Sequence, residues 1–150
     1  MARVSGGDKI RDAFKRLADN LASAKSVQVG FLEDATYPDG MSVATVAALN
    51  EYGHANTPPR PFFRNMIRAK SGRWPQGLRQ ALADNDYEAS TALDLLGATV
   101  AGQLQESITE LRSPPLAPST IRAKGHDKPL IDTGHMLSSV SYRVVQGETT

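Results

Sequence analysis

The sequence predicts an α+β fold, a small antiparallel sheet packed against helices, and three observations carry that expectation. Two segments near the ends of the chain, 26–32 and 138–146, alternate apolar and polar side chains with the period of a half-buried strand. Between 88 and 112, Leu93, Leu96, Val100, Leu104, Ile108 and Leu111 recur at intervals of three and four, the stripe of one long helix. Two proline clusters, Pro58, Pro59 and Pro61 and then Pro114, Pro115 and Pro118, divide the chain between these segments, because each proline removes a backbone donor and fixes φ.

In chain order, Ile10, Phe14, Leu17, Leu21 and Ala24 form one apolar stripe and predict a helix over 8–24, with Asp8 as its N-cap. Val27, Val29 and Phe31 then alternate with Ser26, Gln28 and Gly30 as a strand. Residues 33–41 hold Asp34, Pro38, Asp39 and Gly40, the composition of an exposed loop. Ser42 is the expected N-cap of a helix through Val43, Val46, Ala47 and Tyr52, stopped at Gly53. After the stiff 54–61 linker a basic helix is expected over 62–70, broken near Ser71, Gly72 and Pro75, with a second piece from about Gln76. Gly97, Ala98, Ala101 and Gly102 on the long helix suggest tight packing, within the fold or between copies. The second proline cluster ends that helix, 119–124 adds one helical turn, and Val140, Tyr142 and Val144 face one side of a terminal strand that pairs with the first.

The 150 residues suit a single domain, 1–150, with mobile loops expected near 33–41 and 113–128. The absence of cysteine excludes a disulfide scaffold, a thiolate metal site and a cysteine nucleophile. No stretch approaches the ~18 apolar residues of a membrane span, and the first thirty residues lack an unbroken apolar run, so neither span nor signal peptide is expected. The net charge of +1 arises by cancellation. Successive blocks 1–25, 26–59, 60–80, 81–111, 112–128 and 129–150 carry +3, −4, +6, −6, +3 and −1. Such segregation either neutralises neighbouring elements within one copy or draws copies together head to tail, the kind of contact that closes into a ring. A third reading places the 60–80 arginines against DNA, as a channel lining.

Asp132, Thr133 and Gly134, after Leu130 and Ile131, match the active-site string of aspartic proteases. A homodimer would supply the two carboxylates that share a proton in that chemistry. The supporting apolar-apolar-Gly element has no room downstream, since only sixteen residues follow Gly134. The structural alternative is that Asp132 or Thr133 caps a short turn through His135, Met136 and Leu137. His54, His126 and His135 lie apart without ligand spacing; His126 with Asp127 and Asp132 is the nearest to a metal set, and a solvated turn explains it more simply. No glycine-rich phosphate cradle or serine elbow is present, and no cofactor is expected. The segment 58–64, Pro-Pro-Arg-Pro-Phe-Phe-Arg, combines preordered backbone, two aromatic rings and two planar guanidinium groups, and so offers Arg60, Phe62, Phe63 and Arg64 as a protein interface. The alternative is that one or both phenylalanines anchor the following helix in the chain's own core.

Three strings bear together on function: ALNEYGHANTPPRPFFRNMI at 48–67, PPLAPSTIRAKG at 114–125 and KPLIDTGHMLSSVSYRV at 128–144. In this order they resemble the tail completion, neck and virion morphogenesis proteins of tailed bacteriophages, where a helix ending in Glu-Tyr-Gly leads to an Arg-Pro-Phe-Phe segment and a PLxPSTIxxKG loop precedes PLIDTGxLxxS. The resemblance covers about fifty residues over two thirds of the chain; 68–112 contribute only helical periodicity. It implies a non-enzymatic virion protein at the head-proximal end of the tail or in the neck, assembled in the host cytoplasm as a homo-hexameric ring. The implied neighbours are the tail terminator, tail tube and head-completion or stopper proteins. Its members differ in role, so completion factor, terminator and head-side connector all remain open. The family assigns no catalytic residues, and the Asp-Thr-Gly string becomes a structural turn within it.

Overall fold

A computed structural model of the chain describes residues 6–32, 34–112, 114–125 and 134–147. The elements run α1 (Gly7–Leu21), β1 (Ala24–Phe31), α2 (Val43–Tyr52), α3 (Phe62–Lys70), a 3-10 turn (Ser71–Arg73), α4 (Trp74–Asp84), α5 (Ala89–Glu110), α6 (Pro118–Lys124), α7 (His135–Ser138) and β2 (Val140–Gln146). The class is α+β as expected, with β1 and β2 paired in a two-stranded antiparallel sheet packed against helices. The single domain expected from length contains two compact units, one of Met1–Gln28, Trp74–Gly97 and Arg143–Thr150, the other of Val29–Arg73 and Ala98–Tyr142. Both strands and α5 run through the two units.

Among the described residues, the first unit fully buries only small apolar side chains, and hydrogen bonds fasten its turns. Its buried apolar residues are Ala24, Ala89 and Ala92. Ser23 accepts the Ser90 N–H at 3.0 Å through its hydroxyl, which donates in turn to the Asn20 carbonyl at 2.7 Å. Asn20 Nδ2 donates to the Asp86 carbonyl at 3.0 Å, fastening the end of α1 to the turn between α4 and α5. That turn reverses through two left-handed residues, Asp86 (φ 53°) and Tyr87 (φ 59°), and closes with the Tyr87 N–H on the Leu82 carbonyl. Arg143 donates to Gln28 Oε1 across the strand pair at 2.8 Å.

The second unit holds the main apolar core. Phe62, Leu104, Ile108 and Val43 are its largest fully buried side chains, joined by Met66, Val100, Met136 and Val140. Val100, Leu104 and Ile108 of the stripe that identified α5 from sequence therefore lie in the core of this unit. Ser42 caps α2 as anticipated, accepting the Thr45 N–H. Gly53 ends α2 at φ 75°, ψ 162°, a backbone region open to glycine, and a Cβ there would stand 2.8 Å from Pro59 N and from the Thr57 carbonyl oxygen.

Several boundaries differ from the sequence expectation. The N-cap of α1 is Gly6, left-handed and without a side-chain bond; Asp8 lies inside the first turn, where it still complements the helix dipole. Pro75 does not separate the basic helix from its successor. It sits in the first turn of α4, which needs no proline N–H, and the break is the 3-10 turn before it. Pro118 likewise opens α6, which runs for two turns to a left-handed Gly125. The loop from 34 to 41 carries a hydrogen-bonded turn, with Tyr37 N–H on the Met41 carbonyl, Gly40 N–H on the Tyr37 carbonyl and a bridge between Thr36 and Ser42.

Candidate functional site

The junction of α2 and α3 in the second unit is the most chemically distinctive place in the described structure. Pro61 occupies the N-cap of α3, where its side chain cannot accept the free N–H groups of the first turn. Glu51, on the last turn of α2, does so instead. Its carboxylate accepts the Phe63 N–H at 2.9 Å and the Arg64 N–H at 3.1 Å, and Arg64 Nε closes an ion pair on the same group at 2.7 Å. Arg64 Nη2 also donates to the Glu51 carbonyl at 3.0 Å. Glu51 is only 5% exposed, so these bonds and the positive end of α3 compensate a carboxylate otherwise costly to bury.

The guanidinium of Arg64 leaves this pair for the surface, with its carbon 4.9 Å from the centre of the Tyr52 ring. Tyr52 is 68% exposed and Phe63 half-buried. Between α2 and α3 opens an apolar recess of about 310 Å3, floored by Ala44, Ala47 and Ala48 and walled by Tyr52, Phe63 and Ile67. Gly30 helps to shape the adjacent wall, since a Cβ there would contact the Phe63 ring at 3.6 Å.

The four interface residues expected from sequence separate into two pairs. Phe62 is buried, with its ring edge-on to Phe31 at 6.3 Å and its carbonyl accepting the Ser107 hydroxyl at 2.7 Å. Arg60 is 7% exposed; its N–H donates to the Asn50 carbonyl at 2.7 Å and its Nε to the Pro114 carbonyl at 3.4 Å. These two build the site from behind, while Phe63 and Arg64 face the recess. The Glu-Tyr-Gly string shows Glu51 and Tyr52 without showing their part in the site, because nothing local marks a glutamate as the cap of a helix that starts eleven residues later.

A smaller polar contact joins α7 to the 34–41 turn. His135 Nε2 meets the Thr36 carbonyl oxygen at 2.6 Å, a contact in which the nitrogen donates, and the imidazole lies against the Tyr37 ring with centroids 4.8 Å apart. Gly134 is the left-handed N-cap of α7, so the short turn expected after the Asp-Thr-Gly string is present with the glycine at its cap position. Asp132 and Thr133 lie outside the described residues, as do His126 and Asp127. Among the described residues no three of His, Cys, Asp and Glu gather as metal ligands, and no helix is long and apolar enough to cross a membrane. Comparison with protein-family models, curated protein sequences and solved structures found no match to this chain.

Proposed function

We propose that the chain is a structural virion subunit of a tailed bacteriophage, placed at the head-proximal end of the tail or in the neck, where a ring of copies completes the tail and joins it to the head. The observation that supports this most is the bonding within and between the first two strings that carry the resemblance. Glu51 of the first string secures Phe63 and Arg64 of the same string, and Arg60 reaches Pro114 at the start of the second. Residues invested in one another in this way serve a scaffold. What they leave outward is an apolar recess edged by Tyr52, Phe63 and Arg64, residue types favoured at protein interfaces.

In this reading the recess receives a neighbouring neck or tail protein: a terminator, a tube subunit or a head-side stopper. The ring is a homo-hexamer, and no catalytic residue, cofactor or metal is assigned. Mass spectrometry of purified particles, with electron microscopy of labelled chain on the same particles, tests the reading. Signal at the head-tail junction is the expected result, and a chain absent from infectious particles would end it.

A further inference from the structure

Helix α1 displays an apolar face that the described residues of its own unit do not cover. Ile10 is 58% exposed, Phe14 67% and Leu21 43%, with Leu17 half-buried in the same stripe. At ~100° per residue, Arg11 and Lys15 border one side of the stripe and Lys9 and Arg16 the other, while Asp12 and Asp19 fall on the opposite face. All four bases are exposed. Arg11 meets Asp8 only at 3.7 Å in a pair open to solvent, which does little to occupy it.

Bases on both borders oppose pairing of α1 with α1 of another copy, because like charges would line the seam on each side. The covering surface must be apolar at its floor and acidic at its edge. The chain carries such a surface in its second unit. A groove of about 250 Å3 between α3 and the last turns of α5 has Met66, Ala69 and Leu111 for apolar lining and Glu106 and Glu110 on its α5 edge, with Lys70 as the single lining base. Glu106 and Glu110 are exposed and spaced by four, the spacing of Arg11 and Lys15 on α1. From Gln103 to Leu111 the groove follows α5 for ~12 Å, and Ile10 to Leu17, the part of the stripe that Arg11 and Lys15 border, spans ~10 Å of helix.

We infer that the apolar face of α1 seats in the α3/α5 groove of a second copy of this chain, with Arg11 and Lys15 against Glu106 and Glu110. The contact is heterologous, since the two surfaces differ, and repeats head to tail. It deepens the ring reading above and rests on that reading for closure into a ring. It also gives the segregated charge a use: the basic N-terminal block meets the acidic block that ends in α5.

The experiment is sedimentation of four proteins, each checked for helix content by far-UV circular dichroism. Wild type is expected to at least double its weight-average mass with rising concentration, more strongly at low salt. Phe14→Gln, which alters an exposed side chain, is expected to remain monomeric. Arg11→Glu/Lys15→Glu and Glu106→Lys/Glu110→Lys should each remain monomeric alone and assemble when mixed, because mixing makes every α1–groove contact complementary again. A wild type that stays monomeric, an oligomer that survives Phe14→Gln, or failure of the mixture to assemble overturns the contact. So does binding to phosphatidylserine vesicles that is lost in Phe14→Gln while no self-association occurs, which would assign α1 to a membrane surface. The particle test is independent: an α1-dependent oligomer absent from particles ends the neck reading alone, and a particle-borne chain whose oligomer ignores Phe14 ends the α1 contact alone.

Discussion

Glu51 holds the start of α3 from twelve residues up the chain, doing for Phe63 and Arg64 what a serine or aspartate at the N-cap would have done locally. Three separate bonds end on one carboxylate, two from backbone N–H groups and one from Arg64, and their removal has a graded cost. Glu51→Ala is expected to destabilise the fold by about 2 kcal/mol, the sum of a lost cap and a lost charged hydrogen bond, reduced because Arg64 is half-exposed. Arg64→Ala, which keeps both backbone bonds, should cost well under half as much. Urea denaturation of the two single variants and the double variant separates these contributions; equal costs for both singles would show that the ion pair, not the cap, anchors α3. This group also marks where sequence reading stops. The 62–70 helix was legible as the basic segment between the proline linker and the break near Ser71, Gly72 and Pro75, whereas its cap was not, since a bond between residues on two helices leaves no periodic trace. Arg60 and Phe62 show the same limit from the other side, as a Pro-Arg-Pro-Phe-Phe string reads identically whether its side chains turn inward or outward.

Among the elements, α5 and the end of β2 give glycine opposite meanings. Gly102 lies in the exposed interior of α5, and a Cβ there would meet no atom within 4 Å. Gly102→Ala is therefore expected to stabilise the protein by about 0.5–1 kcal/mol, the helix-propensity difference alone. Gly147 donates its N–H to the Ser23 carbonyl just beyond β2, and a Cβ there would run into the Ala22 carbonyl oxygen. Backbone cannot yield as a flexible side-chain tip can, so Gly147→Ala should cost about 1–3 kcal/mol. Thermal unfolding of both variants checks the pair, with the midpoint rising for Gly102→Ala and falling for Gly147→Ala. A fall at Gly102 would mean that something packs on that face of α5 after all, as the cluster of small residues first suggested. The long helix itself, both strands and the Ser42 cap were readable from period and cap chemistry. The cap of α1 was misplaced by two residues because a glycine in the left-handed region leaves no side-chain signature.

For the whole molecule, the distribution of apolar burial is uneven: the first unit buries alanines, whereas the second buries Phe62, Leu104, Ile108 and Val43. Two units of such different cores would unfold separately if only flexible linkers joined them. Here an unbroken 22-residue helix and both strands run through the two. A helix is cooperative along its length, so loss of the second unit's grip on α5 removes the support under its first turns as well. Leu104 is fully buried in the second unit, and Leu104→Ala is expected to cost about 2–5 kcal/mol through lost burial and the cavity left behind. The single tryptophan, Trp74, reports on the first unit. Its fluorescence transition in urea should shift by the same amount as the far-UV circular dichroism of the whole chain, with unchanged slope. A Trp74 transition that stays in place while the helical signal moves would show that α5 does not couple the two units.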